Sequence, residues 1–236
     1  MSRIILKLSG EALAGPKKTG FDEETVRGVA RQVKKLSDGA AGTGDTGIGI
    51  VTGGGNFWRG RTGTEIARVK SDQIGMLATV MNCLYVSEIF RGEGMKTAVV
   101  TPFETGGITE LFDIDLVNRA LDDGVIVFFA GGTGHPYFST DTGVVLRAAE
   151  IGADFILMAK NIDGIYDSDP AKNPDAKRYD TLSIDDVISG NLQAIDMTAS
   201  ILARENRIPL RVFDLNEEDS IVKAASGKFN GTTVTI

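Results

Sequence analysis

The apolar positions of this chain follow two alternating periods. Residues 3–8 form a compact apolar run ending at Ser9-Gly10, which predicts a buried strand entering a turn. Val26, Val29, Ala30, Val33 and Leu36 then recur at helical spacing, started by Asp22 and stopped by Gly39. A second strand is predicted over 48–51 and runs into Gly53-Gly54-Gly55. The longest helix is expected to begin at Ser71 or Asp72 and to close at Gly92. Its apolar stripe is Ile74, Leu77, Ala78, Met81, Leu84, Tyr85 and Ile89. The alternation continues with a strand over 96–100, a helix near 115–121, a strand over 125–130, a helix over 141–151 and a strand over 155–159. Strands over 210–213 and 232–236 come late. Short β-rich runs separated by helices predict an α/β fold, a mostly parallel sheet with helices on both faces. No linker, repeat or composition break divides 1–236, so the chain reads as one domain.

Composition narrows the function. A chain of 236 residues can bury a substantial core. Its formal net charge of -7 opposes a broad electrostatic grip on nucleic acid or anionic lipid, so neither is an expected partner. No run reads as both apolar and long enough to span a bilayer, and no charged-then-apolar leader precedes the first strand. The single cysteine, Cys83, lies in an apolar helical pattern and reads as a core residue in a reducing, cytoplasmic setting. Residues 40–47 form a glycine-rich connection. Residues 167–179, with Pro170 and Pro174, form an exposed excursion suited to a lid or pocket wall.

Three strands end in residues suited to holding phosphate. Lys7-Leu8-Ser9-Gly10 offers a cation and backbone N–H groups, although alone it reads somewhat better as an ordinary strand-to-helix turn with a snorkelling lysine. Gly53-Gly54-Gly55-Asn56-Phe57-Trp58-Arg59-Gly60 follows a core strand abruptly. Three glycines there suit a sharp bend with no side chains between amides and ligand, and Arg59 adds a planar fork for phosphate oxygens. The third stretch, from Gly131 to Asp141, runs from a strand end to a helix start. Hydroxyls at Thr133, Ser139 and Thr140 suit a polar ring or a phosphate, and Thr140 or Asp141 also suits the helix N-cap. His135 is the only histidine, which excludes a multi-histidine metal site; structural and ligand-contacting readings of it both stand. Gly42-Thr43-Gly44-Asp45-Thr46-Gly47 fits G-x-G-x-x-G but precedes its strand, so the dinucleotide reading fails on context. A Walker A pattern is absent.

These stretches are accompanied by Glu11-Ala12-Leu13, Gly75-Met76-Leu77-Ala78-Thr79-Val80-Met81-Asn82, Asp163-Gly164-Ile165-Tyr166 with Asp169-Pro170, Ile195-Asp196-Met197-Thr198-Ala199, and Ile208-Pro209-Leu210-Arg211-Val212-Phe213. In that order they closely resemble the bacterial uridylate kinases of the amino acid kinase family. The resemblance implies a three-layer α/β/α sandwich and Mg²⁺-dependent transfer of the ATP γ-phosphoryl group to UMP. It also implies a hexamer activated by GTP and inhibited by UTP, with Mg²⁺ carried by ATP and no metal site of the protein's own. On the matched positions Lys7, Arg59 and Asp141 are the implied catalytic residues. Lys7, Leu8, Ser9, Gly10, Gly55 and Arg59 would meet ATP, with Lys160, Tyr166 and Asp169 bordering it. Gly54, Asp72, Thr133, Gly134, His135, Pro136, Tyr137, Phe138, Ser139 and Thr140 would form the UMP side, Asp72 accepting ribose hydroxyls. The family commonly has Asn at His135, Thr at Ser139 and, in many members, Lys at Met158. The alternatives are a sister kinase of the same fold acting on another small molecule and a non-catalytic nucleotide-binding storage or regulatory protein.

Physical chemistry accommodates the implied reaction. A phosphate monoester with a second pKa near 6 is mostly dianionic at neutral pH and needs no general base. The obstacle is repulsion: at roughly 4 Å two like unit charges oppose each other by about 4 kcal/mol at an intermediate dielectric. Lys7, Arg59 and the amides at Gly53, Gly54 and Gly55 are expected to offset it.

Overall fold

The computed structural model describes residues 2–40, 42, 46–59, 66–192 and 195–236. Gly60 and half of the 40–47 connection, including Thr43, Gly44 and Asp45 of the G-x-G-x-x-G match, lie outside the described residues. The first half contains β1 (Ser2–Leu8), α1 (Gly10–Ala14), α2 (Glu23–Ser37), β2 (Thr46–Thr52), α3 (Arg68–Gly92), β3 (Thr97–Thr101), β4 (Glu110–Leu111), α4 (Ile114–Asp122), β5 (Ile126–Phe129) and α5 (Thr140–Glu150). The second half adds β6 (Phe155–Lys160), β7 (Ile165–Tyr166), β8 (Arg178–Tyr179), β9 (Thr181–Ser183), α6 (Ile184–Ser189), α7 (Met197–Glu205), β10 (Leu210–Asp214), α8 (Ser220–Ser226) and β11 (Gly231–Thr235).

A nine-stranded sheet in the order β4-β3-β5-β2-β1-β6-β10-β11-β9 runs through the molecule, and β7 pairs with β8 in a separate hairpin. Its pairings are parallel except β10 with β11. The two-residue period of β1 divides the core. Ile4, Leu6 and Leu8 face a layer built with α2, α3 and α8, while Ile5 faces a layer built with α4, α5, α6 and α7. This is the expected three-layer α/β/α sandwich. Strand β1 lies between β2 and β6, whose connections leave in opposite directions along the sheet, and ligands in such sheets bind beyond the carboxyl ends of the strands at this point. Lys7 ends β1 on the α5 side, in register with Val51 of β2 and Met158 of β6.

Helix α3 departs from the reading of its sequence. It starts at Arg68, earlier than Ser71 or Asp72, and only part of the expected stripe meets the core: Ala78 is buried, and Leu84, Tyr85 and Ile89 pack against the core. Ser71, Ala78, Thr79, Asn82, Cys83 and Ser87 are among its buried residues, whereas Ile74, Leu77 and Met81 are exposed. Small and polar residues face inward because a backbone must approach. A Cβ on Gly54 would lie 2.8 Å from the Gly75 carbonyl oxygen and 3.0 Å from the Ala78 Cβ. Asn82 donates to the Gly53 carbonyl at 2.6 Å and exchanges hydrogen bonds with Asn56. At 25 residues α3 is also long and apolar enough by composition to cross a bilayer, contrary to the expectation that no run is. It packs here on β2, β3, β5 and α2. Cys83 sits on its inner face, fully buried, its thiol pushed up to about 12 by burial.

Candidate active site

Four carboxyl strand ends and the starts of α1, α3, α5 and α7 meet at one edge of the sheet. After β1, Ser9 caps α1 by accepting from the Ala12 amide at 3.1 Å. After β2, the three glycines lie against this turn. A Cβ on Gly53 would stand 3.1 Å from the Gly10 nitrogen, and one on Gly10 would stand 2.6 Å from Asn56 Oδ1 and 2.7 Å from the Gly55 nitrogen. The space beside Gly53 and Gly54 is thus filled by protein, and the glycines answer to packing between two strand-end loops and α3. This revises the reason expected from sequence. The Gly53 amide also donates to the Leu8 carbonyl at 2.8 Å, which removes it from the donors available to a phosphate. Trp58 anchors the far side by donating to Ser71 Oγ at 3.0 Å. Arg59 pairs with Glu11 at 2.9 Å, linking the two loops, and both side chains are largely exposed.

Beyond β5, Gly131, Gly132 and Gly134 all adopt left-handed backbone, which glycine alone adopts without strain. The loop ends at Ser139, whose hydroxyl accepts from the Thr142 amide at 3.1 Å and caps α5. Ser139 is therefore the N-cap, where Thr140 or Asp141 was expected. Its hydroxyl also donates to Asp196, the N-cap of α7, which accepts from the Ala199 amide at 3.0 Å. The Ser139 hydroxyl thus ties the starts of α5 and α7 together while the residue lines the cavity between them.

Asp141 occupies the first turn of α5, where the helix dipole favours an anion. Its Oδ1 lies 2.8 Å from Lys7 Nζ, with side chains only 19% and 11% exposed. Lys160 ends β6 on the same side of the sheet as Lys7. Burial, with Lys7 acting in the same direction, lowers the pKa of the Lys160 ammonium; Asp141 opposes the shift. Met158, two residues earlier, is buried in the core between Lys7 and Val212.

Two adjoining cavities share Lys160, Asn191 and Leu192. The larger, about 610 Å³, is lined by Arg68, Asp72, Phe138, Ser139, Thr140 and Asp141, together with Ile195, Asp196 and Met197. The second, about 480 Å³, is walled by Ile162, Tyr166, Asp169 and Lys172 from the 167–179 excursion and its approach. Asp169 organises that wall. It accepts from the Ala171 amide at 3.0 Å, which holds its carboxyl below the usual range. The Tyr166 hydroxyl donates to Asp163 at 2.7 Å, which raises its pKa, and Arg178 pairs with the same carboxylate at 2.8 Å.

The sequence-derived residues thus divide. Asp72, Phe138, Ser139, Thr140, Asp141 and Lys160 line the larger cavity; Lys160, Tyr166 and Asp169 line the smaller. Lys7 joins them through Asp141, while Ser9, Gly10, Gly54, Gly55 and Arg59 form the adjacent loop pair. The Leu8 side chain is fully buried in the core, leaving only its backbone toward the edge. Thr133, Gly134, His135, Pro136 and Tyr137 are on the loop but outside the described cavity wall, and His135 is exposed. Sequence reasoning gave no role to Arg68, Asn191, Leu192 or Asp196. Arg68 stands four residues before Asp72 and Asp196 fits a helix cap, so both carried a signal; the turn at Asn191 and Leu192 carried none.

The chain matches the model of the amino acid kinase family over residues 2–214. It is 48% identical over 235 residues to a curated uridylate kinase of Limosilactobacillus reuteri (strain DSM 20016), covering 98% of this chain and 96% of that one. Among solved structures it is similar to the UMP kinase from Bacillus anthracis, with a TM-score of 0.93 at 34% identity over 99% of this chain and 96% of that chain. The UMP kinase from Ureaplasma parvum superposes with a TM-score of 0.92 at 33% identity, covering 100% of this chain and 99% of that chain.

Proposed function

This chain belongs to the amino acid kinase family and is a phosphotransferase, and from that premise we propose that it moves the γ-phosphoryl group of ATP onto UMP, giving ADP and UDP for pyrimidine nucleotide synthesis. The observation that carries this reading is the pair of cavities meeting at Lys160. Two elongated anions laid end to end across that junction would bring their phosphates together beside Lys160, Asp141 and Lys7. The cavity walled by Tyr166 and Asp169 takes ATP, and the cavity walled by Asp72 and residues 138–140 takes UMP.

The acceptor arrives as a dianion, so nothing need deprotonate it, consistent with the exposed position of His135. The protein's task is electrostatic. Lys7 and Arg59, with the Gly54 and Gly55 amides, balance charge on the transferring phosphoryl group, and Asp141 holds Lys7 in place. Among the described residues no group of three or more potential metal ligands is built. On this reading magnesium would arrive on ATP and take few protein carboxylates, Asp141 being the one that would stand beside it. When bound, the ion adds positive charge against the phosphate oxygens. The same reading extends to a cytoplasmic homo-oligomer, a hexamer activated by GTP and inhibited by UTP, with the whole chain acting as one domain. Exposed Ile74, Leu77 and Met81 on α3 support the self-association.

The test is UDP formation from Mg-ATP with UMP, CMP and small carboxylic or carbamic acids offered in parallel, with and without GTP. UMP is expected to be the preferred acceptor. Phosphorylation of a small acid with none of UMP would overturn the substrate, and ATP binding without any turnover would overturn the catalysis.

A further inference from the structure

Two local costs converge on one carboxylate. Arg68 opens α3 directly after Ala67, which supplies no side-chain cap. A cation there faces the positive end of the helix dipole, and an Arg followed four residues later by Asp pairs in the weaker of the two orientations. Neither choice serves the helix. Beside Asp72, Tyr137 holds a φ of 74°, a left-handed conformation that strains a bulky residue and persists only where its surroundings impose it.

Both features are directed at Asp72. Arg68 Nε donates to Oδ1 at 2.9 Å and to Oδ2 at 2.8 Å, while the Tyr137 amide donates to Oδ2 at 2.8 Å. The Arg68 guanidinium also lies 5.5 Å from the centre of the Tyr137 ring, closing the triangle. Asp72 is the sheltered partner, its side chain 15% exposed against 43% for Arg68. An ionised carboxylate offers about four acceptor positions. One shared N–H and one amide leave capacity for the two adjacent hydroxyls of a ribose in the cavity that Arg68 and Asp72 both line.

We propose that Arg68 and the Tyr137 amide form a clasp that fixes Asp72 to read both ribose hydroxyls of the acceptor. Arg68 is then a positioning residue that sets discrimination between ribo- and 2′-deoxyribonucleotides; this rests on the reading of the larger cavity as the UMP side. An ordinary exposed ion pair would contribute little and would not care which sugar is bound.

The test compares KM for UMP and for dUMP in the full-length wild-type protein, Arg68→Met, Arg68→Lys and Asp72→Asn, with melting temperatures measured alongside. Arg68→Met keeps the stem and removes the donors; it is expected to raise KM for UMP by about tenfold, as loss of a charged hydrogen-bond partner does, to raise KM for dUMP, which keeps only the 3′-hydroxyl, clearly less, and to leave ATP little affected. The UMP-over-dUMP preference then falls by the ratio of the two changes, and Arg68→Lys restores part of it. If Asp72→Asn erases the preference and Arg68→Met does not, the clasp is wrong while the cavity reading stands. If neither moves it, the sugar reading fails and the clasp with it. An equal rise in KM for both acceptors with a lowered melting temperature makes Arg68 merely structural and overturns the proposal.

Discussion

Lys7 and Lys160 are two cations brought to one edge of the sheet by different means. Lys7 is 9% exposed and pairs with Asp141, so its ammonium is held by geometry as well as charge. Replacing it with Ala is expected to lower kcat on the order of a hundredfold or more while KM for ATP moves much less, because the lost interaction is strongest with the transition state. Steady-state kinetics decide this, and a change confined to KM would remove Lys7 from the chemical step. Lys160 makes a pH prediction. Its pKa lies below the 10.5 of an exposed lysine, mainly through burial, so the folded chain holds that proton less tightly than the unfolded chain. The cost to stability is therefore full at neutral pH and relieved as pH rises from the folded pKa toward 10.5. Loss of the charge should end activity earlier on the alkaline side than an ordinary lysine would. Lys160→Arg, which stays charged, should move that limb of the kcat/KM profile upward. An unmoved limb would dissociate Lys160 from it. The positions of Lys7, Asp141 and Lys160 were legible because strand ends and helix starts are marked locally; that they meet was implied only by the resemblance, because periodicity does not give the order of strands.

Among the elements, α5 and α7 share a joint at their N-termini. Asp196 caps α7 and accepts from both the Ser139 hydroxyl and, at 3.3 Å, the Thr142 hydroxyl of α5. Asp196→Ala strips one helix cap and leaves two hydroxyls to find new partners, so it should destabilise the fold by about 2 kcal/mol in urea unfolding. Asp196→Asn keeps an acceptor for the cap and should lose clearly less. Equal losses would show that the joint does not depend on that acceptor. Neither α6 nor α7 is marked in the sequence by a long apolar period, at 6 and 9 residues, and the β7–β8 hairpin consists of two-residue strands. Such pieces are fixed by caps and by contact with the sheet, which a periodicity reading does not register. Helix α3 was located, but the first part of its expected stripe faces outward. There the inner face needed small residues to admit the Gly54 turn, so Ile74, Leu77 and Met81 were left outside, while Val86 and Phe90 further along fill the core.

For the whole molecule, that outward stripe bears on assembly. Leu77 is 55% exposed and Met81 47%, on the outer face of a 25-residue helix. A second apolar group lies elsewhere, at Leu111 on the edge strand β4 and at Ile108 and Leu116 beside it, 53%, 64% and 50% exposed. A closed hexamer of dihedral symmetry requires at least two kinds of contact, and two separate apolar patches on one chain meet that requirement. A net charge of -7 opposes self-association, so contacts in the proposed assembly would be predominantly apolar. Leu77→Glu and Leu111→Glu should therefore each stop assembly at an intermediate, one a dimer and the other a trimer, while the double variant sediments as a monomer. Each substitution places a charge at the centre of its patch without entering the core, so the melting behaviour of the isolated subunit should survive. Sedimentation velocity at matched concentration reads the masses directly. If either single variant keeps the wild-type mass, its patch is not an interface, and the expected hexamer must be built from another surface.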